Sequence, residues 1–175
     1  MQKSSEKHEQ GYILLLAILM TSIFLSISLG IYSISIKEII LASFLRDSQK
    51  ALAAADRGSE CALYWDNIYR TTAINKTIFA NNSVFTQSPI AATTASCSGI
   101  AIMTDTTAAW TVTTTANSGD TRFTLPFSNG SCANVRVYKT TVPTNRVTIT
   151  SDGLSDCNAA NLRRTQRTIE VNFGF

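Results

Sequence analysis

The sequence predicts an α+β protein in which one long N-terminal helix packs on a C-terminal antiparallel β-sheet. Three patterns carry this prediction: an uncharged run at residues 12–36, a helical seam of small residues after it, and alternating apolar and polar residues near the C-terminus. A sheet with one apolar face needs a cover, and the seam of the helix supplies one. The helix therefore has a transmembrane half and an amphipathic half.

The uncharged run at residues 12–36 contains no proline and is rich in Leu and Ile. A membrane span needs roughly 20 apolar residues, so this run is long enough. The apolar core of a secretory signal peptide is only about 7 to 15 residues long, which is too short to match. We therefore predict a single transmembrane helix, preceded by a short polar leader at residues 1–11 in the cytoplasm.

The helix is predicted to continue through residues 37–70, because the first proline of the chain is Pro89. One face of this stretch carries apolar or small residues at spacings of three and four, the period of an α-helix. Either another layer of protein approaches this seam closely, or the helix packs on its own domain. The seam consists of Leu41, Phe44, Ser48, Ala51, Ala55, Gly58, Ala62 and Trp65.

Residues 71–175 leave room for one modest globular domain. Up to residue 131 this region is rich in Thr, Ser, Asn and Ala, which predicts irregular loops carrying short strands. The last 45 residues predict three strands with one buried face each, joined by a turn at residues 143–145 and a longer connection that opens at residues 151–153. The alternating apolar positions are Val135, Val137, Val147, Ile149, Ile169, Val171, Phe173 and Phe175.

The charge of the chain argues against a nucleic-acid surface. The net charge is +3 and only 15% of the residues are charged, whereas a nucleic-acid binder clusters its Lys and Arg. The best basic cluster is Arg163, Arg164 and Arg167, which we interpret as a solvated strand edge.

The four cysteines are Cys61, Cys97, Cys132 and Cys157, separated by 36, 35 and 25 positions. These spacings lack the C-x-x-C pairs that zinc sites use, so we predict no metal. An even count after a membrane span favours two disulfides in an oxidising compartment. Of three connectivities we favour Cys61 with Cys97, which pins the connecting region to the helix, and Cys132 with Cys157, which ties neighbouring strands. Free buried cysteines are the alternative.

Residues suited to catalysis are scarce. The only histidine is His8, in the leader, so the rest of the chain has no Ser-His or Cys-His pair and no imidazole ligand. We predict no enzymatic activity and no cofactor. The polar runs at residues 117–120 and 151–153 do not match a calcium loop and are interpreted as turns. The carboxylate pairs available for acid–base chemistry are Asp105 with Asp120 and Asp152 with Asp156.

Three segments together resemble a known family. They are residues 10–16, where a glycine and an aromatic residue precede the apolar run; residues 53–62, an Ala-rich stretch ending near Cys61; and residues 148–153 with the Arg-rich final strand. This arrangement resembles the type IV pilin superfamily, and within it the minor pilins related to pilus assembly proteins. The fold that the resemblance implies is the pilin-like one, a long helix on an antiparallel sheet.

The resemblance implies processing and assembly. A membrane prepilin peptidase would cut between Gly11 and Tyr12 and methylate the new amine on Tyr12. The subunit would then wait in the inner membrane, surrounded by lipid and with its domain outside. An inner-membrane assembly platform would move it into a cell-surface filament, where its partners are other pilin subunits. No specific nucleic-acid partner is expected.

Two residues depart from the pilin pattern. Gln10 stands where a Lys or Arg usually precedes the cleaved glycine, and Leu16, the fifth residue of the processed chain, stands where most pilins have a glutamate. That glutamate would neutralise the terminal amine of the neighbouring subunit inside an apolar bundle. A subunit that begins a filament has no neighbour above it, so Leu16 favours an initiating or capping role.

Other readings stay open at this point. The subunit could be tolerated at low frequency in the shaft, or its apolar run could be a permanent anchor. The alternative functions are a membrane-anchored extracytoplasmic binding or adhesion module and a type II secretion pseudopilin.

Overall fold

The computed structural model describes the backbone of residues 6–72, 78–81 and 95–174, and the helix side chains from Tyr12 to Ile68. One helix, α1, runs through Glu6–Thr72. The contacts of the chain separate into two units, Met1–Phe44 and Leu45–Phe175. The strands are β1 (Ser96–Cys97), β2 (Ile100–Ala101), β3 (Thr111–Thr114), β4 (Ser118–Pro126), β5 (Cys132–Thr140), β6 (Arg146–Leu154) and β7 (Gln166–Gly174).

The first unit consists of the apolar part of α1. All of its large apolar side chains from Tyr12 to Phe44 are exposed, Tyr12 to 68% and Phe44 to 52%. Helix α1 is long and apolar enough to cross a membrane by length and composition. Five of its hydroxyl groups are compatible with a membrane span, because each donates to a main-chain carbonyl three or four residues earlier. These donors are Thr21, Ser22, Ser26, Ser28 and Ser35.

The second unit is built on a five-stranded antiparallel meander in the order β3-β4-β5-β6-β7. Strands β5 and β6 pair over their full length, with Val137 opposite Ile149 and Val135 opposite Ser151. Their apolar side chains alternate toward the helix and are fully buried. The rest of α1 from Leu45 packs on this face, which confirms the predicted α+β fold.

The helix and the sheet approach each other through residues that have little or no side chain. Ala51, Ala55 and Ala62 are completely buried. A Cβ added at Gly153 of β6 would overlap the carbonyl of Ala51 and the side chain of Ala55. A Cβ added at Gly58 would overlap side chains of β5 and β6. The predicted seam is therefore buried within its own domain from Ala51 to Ala62, and Trp65 at its end is partly buried.

The sheet is larger than the sequence predicted. Strands β3 and β4 extend it beyond the three expected strands, because β4 pairs with β5 over nine residues, from Ser118 opposite Thr140 to Pro126 opposite Cys132. The interpretation of both polar runs as turns was largely wrong. Only Asn117 lies in a turn, whereas Ser118 to Asp120 begin β4 and residues 151–153 lie inside β6. Their small residues serve close packing: Gly119 lies against the carbonyl of Ala80.

An aromatic stack closes the core beside β4. The rings of Phe79, Trp110 and Phe123 lie nearly parallel, with centroids 5.8 to 6.0 Å apart. Phe79 and Phe123 are almost completely buried. Stacked aromatic pairs stabilise a core by about 0.5–1.5 kcal/mol beyond the area that they bury. Trp110, just before β3, thereby packs the edge of the sheet in a region where the sequence predicted only short strands among loops.

Candidate functional site

The predicted processing site lies inside the continuous backbone of α1. Gly11 falls before the first described side chain, so its surroundings lie outside the described residues. Tyr12 follows it, and Leu16 is 45% exposed. The side chains from Tyr12 to Ile36 carry no formal charge. This surface can therefore be covered by lipid chains or by other apolar helices.

The end of the buried half of α1 is anchored to the β1–β2 hairpin. Cys61 and Cys97 form a disulfide, with their Cα atoms 6.0 Å apart, which is the pairing favoured from the sequence. One helical turn later, the indole Nε1 of Trp65 donates to the carbonyl of Ser96 at 3.1 Å. Two bonds of different kinds thus hold this hairpin against the helix.

A buried ion pair links the helix to the sheet. Lys139 of β5 donates through Nζ to Oδ1 of Asp66 on α1, and both side chains are nearly inaccessible. The sequence analysis missed this pair, since 73 residues separate its members. One signal was present: Lys139 continues the inward alternation of Val135 and Val137, where a lysine must find a partner.

The second predicted disulfide is not formed in this structure. Cys132 at the start of β5 is a buried free thiol and Cys157 is an exposed one. Burial, and after it the influence of the neighbouring Cys157 thiol, raises the pKa of Cys132 to about 12. The prediction therefore paired two cysteines that are neighbours, but the disulfide predicted between them is absent. The spacing of two cysteines does not indicate whether they are oxidised.

The four candidate carboxylates lie apart, and each makes a local structural contact. Asp105 caps a short 3₁₀ helix, and hydrogen bonds from the side chain and main chain of Thr107 lower the pKa of Asp105. Asp152 accepts from Thr168 across β6 and β7 at 2.6 Å. Among the described residues, no group of three or more His, Cys, Asp or Glu could hold a metal ion. The other two carboxylates, Asp120 and Asp156, are held by arginines and by asparagines respectively.

The outer face of the sheet is polar and hydrogen-bonded. Arg122 and Arg136 both reach Asp120, each with an Nη2 to Oδ2 distance of 2.9 Å. Burial opposes ionisation there, but the hydrogen bonds and charges of the two arginines outweigh it and lower the pKa of Asp120. Thr124 donates to Asn134 on the next strand at 2.9 Å. A hollow of about 370 Å³ lies beside these groups.

Comparison with known proteins does not name a family for this arrangement. No protein-family model matches the sequence, and no curated protein and no solved structure matches it either.

Proposed function

We propose that this protein is a membrane-anchored structural subunit, similar to a minor pilin, that initiates or caps a type IV pilus or a related filament. The proposal combines the resemblance of residues 10–16 with the exposed apolar unit of α1. That unit would be surrounded by lipid before assembly and by the helices of other subunits afterwards. Gly11 would be the last residue of the removed leader.

The observation that carries the proposal is the exposure of every large apolar side chain of the first unit. Burying apolar surface stabilises by about 25 cal/mol per Å², so a surface of this extent requires an apolar environment outside the chain. A membrane supplies one such environment, and a filament core made of helices supplies a second. A subunit that moves between them needs no change in its own residues.

Leu16 supports the initiating or capping role. A glutamate at this position would bring a charge into the apolar bundle and would need the amine of a neighbouring subunit to compensate it. Leu16 needs no such partner, which suits a subunit that has no neighbour above it. It also removes the contact that would place the subunit repeatedly within a shaft.

Replacing Leu16 tests this role in cells that assemble the filament. We expect Leu16→Glu to leave membrane insertion intact and to raise the number of copies along the shaft, counted by immunogold labelling. Leu15→Glu is the matched control, because it adds the same charge one helical position away and should not raise incorporation. Equal labelling of wild type and Leu16→Glu along the shaft would contradict the initiating or capping role.

A second candidate function is a membrane-anchored extracytoplasmic binding module. The polar outer face of the sheet favours it, since Arg136 stacks over Tyr138 at 5.4 Å beside the hollow described above. In that case the apolar unit would be a permanent anchor, and the subunit would keep residues 1–11. The state of the N-terminus separates the two functions.

A further inference from the structure

We propose that a basic patch on the second unit docks onto the anionic lipid headgroups of the membrane in which the protein is anchored. The patch consists of Lys50 on α1 together with Arg163, Arg164 and Arg167 in and after the β6–β7 loop. The inference rests on the membrane-anchored state of the proposed function, but not on filament assembly.

Contacts within the second unit bring these four cations together. Arg167 donates from Nε to the hydroxyl of Ser48 at 2.9 Å, which ties the start of β7 to α1. Arg163 and Lys50 line the same shallow hollow of about 340 Å³. Arg164 lies close to Asp156, at the start of the loop, where Lys50 also exerts its charge. The helix and the loop thus form one surface.

The patch is net positive. Four cations face two carboxylates, Asp47 and Asp156, which line the same hollow. Asp156 already accepts hydrogen bonds from the side chain of Asn161 at 2.7 Å and from the main chain of Asn158 at 2.8 Å. Within the described part of the chain, no carboxylate lies at ion-pair distance from the patch arginines. The arginines of the outer sheet face differ, since both bond to Asp120.

The loop presents an exposed apolar residue beside these charges. Leu162, immediately before Arg163, is 100% exposed. Its exposure belongs to a folded loop, because Ser155 and Thr165 close the loop with two hydrogen bonds of 2.9 and 3.0 Å. Inside it, Asn158 and Asn161 each accept from a main-chain N–H two residues later. An exposed apolar side chain followed by two arginines combines the apolar and cationic residues that segments lying in a membrane interface carry.

The length of the chain keeps the patch near the membrane. Ser48, which Arg167 contacts, lies 12 residues after Ile36, the end of the uncharged run. Even fully extended, 12 residues span no more than about 40 Å. The tether therefore keeps the patch within reach of the lipid surface, and its charge supplies the attraction once it is near. Anionic headgroups match its charge, and Leu162 is suited to enter the interface between them.

The expected strength of docking follows from the charge count. Each Lys or Arg near an anionic surface raises the ratio of docked to undocked loops by about fivefold. This attraction falls off within a Debye length of about 8 Å at physiological salt. Removing two arginines should thus lower the ratio of docked to undocked loops by about 25-fold. Docking should weaken with salt and require anionic lipid.

Spin labelling of the full chain in vesicles tests the proposal. The label is attached through Ala159→Cys, an exposed loop position, in a Cys157→Ser background. The vesicles are phosphatidylcholine alone or a mixture with phosphatidylglycerol. Collision rates with oxygen, which enters lipid, and with a water-soluble nickel complex give the depth of the label. We expect the ratio of oxygen to nickel collisions to rise only with phosphatidylglycerol and to fall again at high salt.

Two double variants make the test specific. Arg163→Gln with Arg164→Gln should abolish the rise, whereas Arg122→Gln with Arg136→Gln, which removes the same charge from the outer face, should retain it. Equal water exposure of the label in both lipids, with the protein still in the vesicles, would overturn the docking proposal. It would point instead to a protein partner for the patch. Protein that separates from the vesicles would contradict the membrane anchor itself, so the two failures are distinguishable.

Discussion

The two halves of α1 differ in what surrounds their apolar side chains: the first half exposes them, and the second half buries them against its own sheet. The first half, up to Phe44, carries Leu, Ile, Phe and Tyr, and these side chains are exposed throughout. The second half turns small residues such as Ala51 and Ala55 toward its own sheet and buries them completely. Large side chains suit a partner outside the chain, whereas small ones allow close approach to a fixed partner within it. The position of small residues along a long helix therefore indicates where its own domain begins.

The largest expected effect comes from placing charge in the first half. Leu25→Arg with Ile27→Arg should abolish stable membrane insertion, because each arginine costs about 2.5–3.5 kcal/mol at the centre of a span. The matched control is Leu52→Arg with Ala53→Arg on the exposed side of the second half, which should insert normally. Carbonate extraction of membranes measures both. Equal extraction of the two variants would remove the distinction between the halves.

The next effect concerns the ion pair between the second half and the sheet. Lys139→Met should destabilise the second unit by up to about 3–5 kcal/mol, since the ion pair between Lys139 and Asp66 is lost while Asp66 remains buried. Adding Asp66→Leu should recover part of that loss. Denaturant unfolding in detergent, followed by the fluorescence of Trp65 and Trp110, reports on this unit. A double variant less stable than Lys139→Met would contradict the role assigned to the pair.

A smaller effect tests the close approach of the helix and β6. Gly153→Ala should cost about 1–3 kcal/mol, because the new methyl group overlaps the backbone of Ala51 and forces the two elements apart. Gly174→Ala is the control, since a Cβ there would lie 3.6 Å from the nearest atom, the carbonyl oxygen of Asn145. The same unfolding measurement compares them. If both variants lost a similar free energy of unfolding, the overlap with the helix would not be the cause of the destabilisation by Gly153→Ala.

The smallest effect lies on the face of the sheet that the helix does not cover. Folding lowers the pKa of the Asp120 carboxyl. Its ionised form therefore stabilises the folded protein at pH values above the unfolded pKa of about 3.9, and this stabilisation is lost as the pH falls through the folded pKa. Asp120→Asn should therefore cost at most about 1 kcal/mol at neutral pH, and nothing once the wild-type carboxyl is protonated. Urea unfolding from pH 7 to pH 2 measures the difference, and a pH-independent difference would contradict this assignment.

The sequence predicted the features that depend on local pattern. The uncharged run, the helical seam and the alternation around Val137 and Ile149 gave the correct element types and the correct layers. Strand β4 was less visible, because its inward Phe123 and Leu125 lie among Thr, Ser and Gly that are also typical of loops. Gly153 was interpreted as a turn residue, whereas its lack of a side chain serves the approach of the helix.

Features that depend on tertiary contact were harder to predict. Lys139 and Asp66 are far apart in sequence, and no local period connects them. Cys132 and Cys157 were expected to meet, and they do, but the spacing of cysteines carries no information about whether two neighbouring thiols are oxidised. The arginines at residues 163–167 were interpreted as a solvated strand edge. Their proximity to Lys50 could not be predicted, because only the folded chain brings the loop next to α1. Processing at Gly11 and the role of Leu16 stay predictions.

Intact-mass analysis of the protein purified from membranes distinguishes a processed filament subunit from a permanently anchored protein. We expect a chain that begins at Tyr12, lacks residues 1–11 and carries one additional methyl group on its terminal amine. A chain that retains Met1 and the rest of the leader would contradict the proposed filament subunit. It would leave the apolar half of α1 as a permanent membrane anchor.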